Sequence, residues 1–349
     1  MTSNASFRRT RLTVGFESFA FAKANLDQNS RNQLHALELV SSSSRRAEES
    51  IKGRYTSFVM KILVTGGAGY IGSHVCLLLL EAGYDVTVID NLSNSSVIAL
   101  QRVQEMAARK LRFIEGDVRS RHDLDLAFDD PIDAVIHFAA LKAVGESCEN
   151  PIVYFENNIG GTISLMQAME THSVKRLVFS SSATVYGTPN AVPVKESAEL
   201  RVTSPYGRTK LVMEQLIQDW CVAHAGLSAV LLRYFNPVGA HPSGRIGEDP
   251  RGTPSNLLPF VAQVAVGRRS HLSIFGNDYP TPDGTGVRDY IHVMDLARAH
   301  LRAIEHSVEH AGCDVFNLGT GRGYSVLEVV RAFESIAGRA IPVRIAGRR

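Results

Sequence analysis

Tyr206 and Lys210 stand four residues apart, the spacing that puts two side chains on one face of a helix with Cβ atoms about 5–6 Å apart. A free phenol has a pKa near ~10 and is a poor base at neutral pH. A cation beside it favours the phenolate, and a drop of about three units takes roughly 4 kcal/mol. A tyrosine tuned in this way could take the proton of an alcohol. The pair alone is at best as often functional as it is an ordinary surface couple, so its surroundings must decide. Ser204-Pro205 just ahead reads as an N-cap and a first-turn proline, which predicts that the helix starts there. Upstream, the run Ser180, Ser181, Ser182, Ala183, Thr184, Val185, Tyr186, Gly187 closes a short apolar stretch. A hydroxyl at the end of such a strand could hydrogen-bond a reacting oxygen and relay its proton. Serines there are also common turn formers.

A second feature lies near the start of the patterned region. Thr65 to Gly72 satisfies G-x-G-x-x-G through Gly67, Gly69 and Gly72, and G-x-x-G-x-x-G through Gly66, Gly69 and Gly72. Either match alone is weak. Here a β-branched run precedes it, an amphipathic stretch and a second run follow, and Asp90 comes eighteen residues after the last glycine. Glycines at such a turn let backbone N–H groups approach a pyrophosphate at a helix N-terminus, where unpaired donors favour anions. Asp90 ends the second run, where a carboxylate can accept both ribose hydroxyls of NAD. It would repel the extra phosphate of NADP, and Asn91-Leu92-Ser93 brings no arginine to neutralise one. The sequence therefore favours NAD, whose positive nicotinamide would assist the phenolate of Tyr206.

The elements that must position these groups follow from periodicity. Apolar runs at 62–65, 86–90, 134–137, 177–180 and 229–233 predict strands, and stretches at 71–81, 157–171 and 206–224 predict helices. Continuous apolar strands alternating with amphipathic helices imply an α/β protein with a parallel sheet covered on both faces. Ligands then bind outside the carboxyl ends of the strands.

Composition excludes other classes. Lys and Arg number 37 and Asp and Glu 35, a net charge of +2 that does not suggest nucleic acid as a partner. No apolar run approaches the roughly 18 residues that cross a bilayer. Cys76, Cys148, Cys221 and Cys313 are scattered without a C-x-x-C pair, which argues against a zinc site or disulfide framework and suits a reducing compartment such as the cytoplasm. Residues 1–59 read differently. They are basic, carry the run Ser41 to Ser44, and show only patchy hydrophobic spacing. They are expected to be a disordered extension, with the working protein beginning near Met60, or else a targeting segment led by Arg8, Arg9 and Arg11.

Taken together, these stretches resemble the extended short-chain dehydrogenase/reductase family in its nucleotide-sugar epimerase branch. The resemblance rests on VTGGAGYIGSH at 64–74, GDVR at 116–119, HFAALKAVGES at 137–147, Asn157-Asn158, SSSATVYG at 180–187, SPYGRTK at 204–210, LLRYFNPVGAHPSG at 231–244 and GTGVRDYIHVMDLA at 284–297. It covers residues 60–349. It implies a Rossmann-type doubly wound parallel sheet over 60–234. A smaller substrate domain is implied over 235–349, with part of 288–320 returning to the first. Relatives of this kind continue past position 349 with a stretch that helps close the hexose pocket, so that domain is expected to be truncated at its end.

The resemblance further implies interconversion of UDP-glucose and UDP-galactose. Hydride would leave C4 for NAD, and the 4-keto sugar would turn over and be reduced on its other face. Tyr206 would be the base, Lys210 would tune it and hold the nicotinamide ribose, and Ser182 would bridge tyrosine and sugar. The NAD site would be lined by Gly66, Gly69, Tyr70, Ile71, Gly72, Asp90, Asn91, Leu92, Ser93, Asn94, Ser95, Asp117, Val118, Phe138, Ala139, Ala140, Leu141, Lys142, Asn157 and Phe235, together with Ser182, Tyr206 and Lys210. UDP-hexose would be held by Ser182, Tyr206, Asn236, Asn256, Leu257, Ser273, Ile274, Phe275, Arg288 and Arg349, the two arginines meeting the diphosphate. A homodimer is the usual assembly of such proteins. A 4,6-dehydratase on the same fold would need an Asp-Glu pair where Ala183-Thr184 stands, and neither residue is an acid or base at neutral pH. A non-catalytic NAD-binding module would tend to lack the tyrosine or the lysine.

Overall fold

The computed structural model describes residues 59–348. The extension read over 1–59 falls outside the described residues up to position 58, as does Arg349. The first three strands and the helices that separate them are β1 (Lys61–Thr65), α1 (Tyr70–Glu81), β2 (Asp85–Asp90), α2 (Val97–Ala107) and β3 (Arg112–Glu115). Then come α3 (Arg121–Ala127), β4 (Ala134–His137), α4 (Val144–Glu149), α5 (Pro151–Phe155), α6 (Gly161–Thr171), β5 (Arg176–Ser182), α7 (Pro205–Ala223) and β6 (Ser228–Tyr234). With a last strand, β10 (Gly312–Leu318), these form a seven-stranded parallel sheet in the order β10-β6-β5-β4-β1-β2-β3. Strand order reverses beside β1, so a crevice opens at the carboxyl ends of β1 and β4.

The period of two along each strand splits the core into two layers. Ile62 and Val64 of β1 pack with Val75 and Leu79 of α1 and with Ala297 and Ile304 of α9 (Val293–Glu309). Leu63 faces the other way, with Val135, Leu177 and Phe179 against Leu165, Met169, Met213 and Ile217. All of these side chains are at or near 0 % exposure. Full burial of each aliphatic side chain is worth about 1.5–3 kcal/mol, so the sheet is a rigid platform for the loops at its carboxyl edge.

The remaining strands and helices make a smaller layer. β7 (Asn236–Val238) pairs in parallel with β9 (Val287–His292), and β9 pairs antiparallel with β11 (Gly323–Ser325). β8 (Leu272–Phe275) pairs in parallel with β12 (Val343–Ala346). α8 (Leu257–Ala265) and α10 (Val326–Ala337) bury Val261, Val264, Val330 and Phe333 with Leu272, Ile274 and Ile341. α10 starts with a reciprocal Ser325–Glu328 capping box and ends at Gly338 with φ of 64°.

Four of the five strands run one to three residues longer than their apolar runs, because polar edge residues still join the ladder, while β4 matches its run. Over 157–171 the expected helix is present, but its first turn, Glu156–Gly160, is a π turn. Ser204 caps α7, accepting from the Gly207 amide at 3.1 Å, with Pro205 in the first turn.

Candidate active site

At the carboxyl end of β1 the chain turns at Gly66, which has φ of +70°. A Cβ there would lie 2.8 Å from the Ala139 amide nitrogen. Gly72, in the first turn of α1, packs closer still: a Cβ would lie 2.4 Å from the Gly66 carbonyl oxygen and 2.7 Å from Gly67 Cα. The glycines therefore hold helix and loop in contact and leave the N-terminus of α1 open to an anion. Asp90, at the end of β2, is buried and accepts from the amide of Ala68 at 3.0 Å, the amide of Leu92 at 2.9 Å and the Ser95 hydroxyl at 2.8 Å. The acid thus ties the 90–95 loop to the glycine turn. Asn91 donates to Asp117 at 3.1 Å and accepts from Ser93 N at 3.1 Å. Hydrogen bonds from Arg119 hold the Asp117 carboxyl down at about 2. Asn94 accepts from the Arg251 amide at 3.2 Å.

After β4, the amides of Phe138 and Ala139 are fixed by Thr65, and the Leu141 amide donates to Asn158 at 2.8 Å. Val118 is buried beneath this loop's layer, and Asn157 donates to Asn158 within the π turn. Lys142 pairs with Glu248 at 3.3 Å. Glu248 also accepts from Asn256 at 2.6 Å, and the Tyr70 hydroxyl donates to the Gly239 carbonyl at 2.6 Å. These contacts join the 239–256 loop to the glycine-loop side of the crevice.

Tyr206 and Lys210 lie one turn apart on α7, both buried. The Tyr206 amide donates to Ser147 Oγ at 3.1 Å, which locks the helix start against α4. Its phenol lies beside Ser182, whose Oγ accepts from the amide and hydroxyl of Thr184 at 3.2 and 3.0 Å. Lys210 Nζ donates to the Ser180 carbonyl at 2.7 Å and sits over the Phe179 ring. The expected trio of tyrosine, serine and lysine is therefore assembled at the carboxyl end of β5.

Burial dominates the electrostatics of both Tyr206 and Lys210. Burial pushes the Tyr206 phenol up to about 12, and the hydrogen bond from Ser182 pulls the other way without offsetting it. Burial likewise drives the Lys210 ammonium down to about 7, opposed by the carboxylate of Glu214. The pairwise spacing was right. The desolvation that α7 imposes on both groups was not readable from it.

The expected sugar-side residues divide. Phe235 follows β6, its amide donating to the Leu318 carbonyl at 3.0 Å. Asn236 opens β7 and donates to the Asp289 carbonyl at 2.9 Å. Asn256 stands at the N-terminus of α8 with Leu257 as its first residue. Ser273, Ile274 and Phe275 are on β8, where Ile274 is in the small core and can offer only its backbone. Arg288 is exposed on β9, with Nη1 donating to the Val287 carbonyl at 2.7 Å. Arg349 lies outside the described residues.

Sequence reasoning passed over Thr184 and Glu248, which hold Ser182 and Asn256. The only signal for either was a polar residue beside a motif.

The arrangement is a glycine-lined cradle at a helix N-terminus beside a buried tyrosine, serine and lysine. Residues 62–319 match the NAD dependent epimerase/dehydratase family, and the chain belongs to it. Its relatives narrow the class. The chain is 59 % identical over 291 residues to UDP-glucose 4-epimerase of Bacillus subtilis (strain 168), a match covering 83 % of this chain and 86 % of that protein. It resembles the crystal structure of UDP-glucose 4-epimerase from Bifidobacterium longum in complex with NAD+ and UDP. That likeness has a TM-score of 0.81 and 52 % identity, over 83 % of this chain and 87 % of the other. The Stenotrophomonas maltophila UDP-glucose-4-epimerase with bound NAD and formylated UDP-arabinopyranose is similar with a TM-score of 0.80 and 51 % identity, over the same shares.

Proposed function

We propose that this chain interconverts UDP-glucose and UDP-galactose by taking hydrogen from C4 of the hexose and returning it to the opposite face, with NAD as resident cofactor. The observation that carries the reading is the meeting of Tyr206, Ser182 and Lys210 at the end of β5, in the same crevice as the glycine turn and Asp90. Identity of 59 % to a UDP-glucose 4-epimerase supports it.

The residues present fit NAD. The glycine turn leaves a cradle that a Cβ at Gly66 or Gly72 would fill, the N-terminus of α1 faces a diphosphate, and Asp90 stands where ribose hydroxyls would donate. The loops 90–95, 117–118 and 138–142, with Asn157 and Phe235, complete its walls. When bound, NAD supplies the acceptor for the C4 hydride and the donor that returns it.

The chain's own residues manage the proton. Ser182 accepts from Thr184 and presents its own hydrogen to Tyr206, so a sugar 4-hydroxyl entering there meets a prepared relay. Tyr206 takes that proton as C4 is oxidised and gives it back as C4 is reduced. Lys210 fixes the strand end through Ser180 and supplies positive charge when protonated. Asn236, Asn256, Leu257, the 273–275 strand, Arg288 and Arg349 hold the UDP-hexose.

Among the described residues no helix is long and apolar enough to cross a membrane. The cytoplasm as the site of action is supported by the four cysteines being free. Assembly as a homodimer is supported by Ile152 and Val153 of α5, which are 79 % and 52 % exposed.

The test is to incubate the purified protein with UDP-galactose, add no NAD, and follow UDP-glucose. Turnover is expected in the parent and in a chain starting at Met60, and loss of turnover in Tyr206→Phe. A parent that retains NAD yet converts nothing would overturn the reading in favour of a non-catalytic module.

A further inference from the structure

Three successive turns of α7 each hold one of three successive serines at the end of β5. Tyr206 faces Ser182, Lys210 bonds the carbonyl of Ser180, and Glu214 accepts from the hydroxyl of Ser181. Tyr206, Lys210 and Glu214 are spaced at i, i+4 and i+8, so they form one stripe on the buried face of the helix. Glu214 is 0 % exposed, so bulk solvent does not neutralise it. Arg233 of β6 meets it instead, Nε at 2.9 and 3.1 Å and Nη2 at 2.5 Å, a bidentate fork. The remaining Arg233 nitrogen, Nη1, donates to the Tyr186 hydroxyl at 3.0 Å and the Glu196 carbonyl at 3.2 Å. Tyr186 in turn donates to Asn317 of β10 at 2.7 Å.

We propose that Glu214 is a positioning residue for the reacting tyrosine: clamped by Arg233, it orients the serine end of β5 and balances the buried charge around Lys210. The proposal rests on the reading that Tyr206 is the acid–base group, and it adds a residue that touches neither substrate nor cofactor.

A purely structural hydrogen bond to Ser181 and a charge-balancing carboxylate predict different things. The titratable and charged groups that face Lys210 and Glu214 are Tyr206 on α7 itself, His137 of β4, Tyr186 after β5, Arg233 and Tyr234 of β6, and Cys313 of β10. Arg233 is the cation among them that pairs with Glu214. Removing the carboxylate leaves Arg233 uncompensated and adds one positive charge near both Lys210 and Tyr206. Removing the guanidinium alone adds one negative charge. Removing both restores the sum. The charge account therefore fixes three signs in advance.

The experiment titrates the Tyr206 phenolate by ultraviolet difference absorbance of the NAD-loaded protein, subtracting Tyr206→Phe in each background. The pH profile of UDP-galactose conversion is measured in parallel. Glu214→Gln should move the phenolate titration and the acid limb of the rate down by about half a pH unit to one unit. Arg233→Met should move both up by a similar amount. The double variant Glu214→Gln/Arg233→Met should return both to the parent position even if its rate is lower. Exchange of a buried ion pair for neutral groups is tolerated better than loss of one partner, so the double variant keeps the comparison open should Glu214→Gln fail to fold. In that event an upward shift in Arg233→Met, reversed in the double variant, supports the proposal. Superimposable titrations in every folded variant would overturn it. Should the parent convert no UDP-galactose, the functional reading fails, while the phenolate titration still decides the role of Glu214.

Discussion

The ionisation of Tyr206 is where the chemistry is most exposed to refutation. In the field of the chain's own groups the phenol sits at about 12. At pH 8 that leaves ~1 part in 10,000 as phenolate, too little for a base. To act near ~7 it must fall by about five units, roughly 7 kcal/mol. A unit charge ~5 Å away at an effective dielectric of ~20 contributes about 3 kcal/mol, a little over two pH units. One charge is not enough. Two suffice: protonated Lys210 and the positive ring of oxidised NAD. The protein stripped of cofactor should therefore show no Tyr206 ionisation up to pH 11 in the difference between parent and Tyr206→Phe. Loading with oxidised NAD should bring the transition below pH 9. Reduced NAD carries no ring charge and should leave it at least one unit higher than the oxidised form does. A stripped protein whose Tyr206 titrates at or below the ordinary value of ~10 would refute the reasoning, since burial would then not be the dominant force.

Gly72→Ala places a Cβ 2.4 Å from the Gly66 carbonyl, and neither backbone can retreat. A loss of about 1–3 kcal/mol in urea unfolding and protein purified free of NAD are expected. Lys210 binds its proton up to about 7 when folded but to ~10.5 when unfolded, so its burial lowers stability below pH 7, and that loss fades as pH rises through this window. Lys210→Met should accordingly raise the stability of cofactor-free protein by about 4–5 kcal/mol at pH 6.5 and by less than about 1 kcal/mol at pH 10, while abolishing turnover. Burial drives His74, His137 and His300 to about 4, 3 and 4. Their unfolded forms take protons from ~6.5 downward, so each should remove about 2 kcal/mol of stability by pH 5, and His300→Phe should flatten the pH dependence of the urea midpoint by that amount.

What could be read without coordinates was whatever one stretch of backbone forces on its own residues. Gly66 and Gly72 must be glycine because of a positive φ and a 2.4 Å approach, and Asp90 closes the same turn, so the cradle was legible. Ser204-Pro205 announced the start of α7 for the same local reason. The desolvation of Tyr206 was not legible, because it depends on what the rest of the chain packs over it. Glu214 and Glu248 were missed because their partners lie elsewhere: Ser181 is 33 positions from Glu214, and Lys142 is 106 positions from Glu248. The π turn at Glu156–Gly160 leaves no periodic trace, since a single wide turn shifts the pattern by less than one residue.

The order in which the big sheet is assembled constrains how the protein can be made. β6 ends at Tyr234, but the strand that covers its outer side, β10, begins only at Gly312, after β7, β8 and β9 have been threaded elsewhere. During synthesis the open rim of β6 must wait for most of another hundred residues to leave the ribosome. Parallel pairing across so wide a gap forms late, and an unpaired rim in the meantime invites association with other nascent chains. A ribosome stalled before residue 318 should thus present a sticky, protease-sensitive intermediate, and pairing of Gly312–Leu318 with β6 should be the moment at which the rim becomes safe from its neighbours.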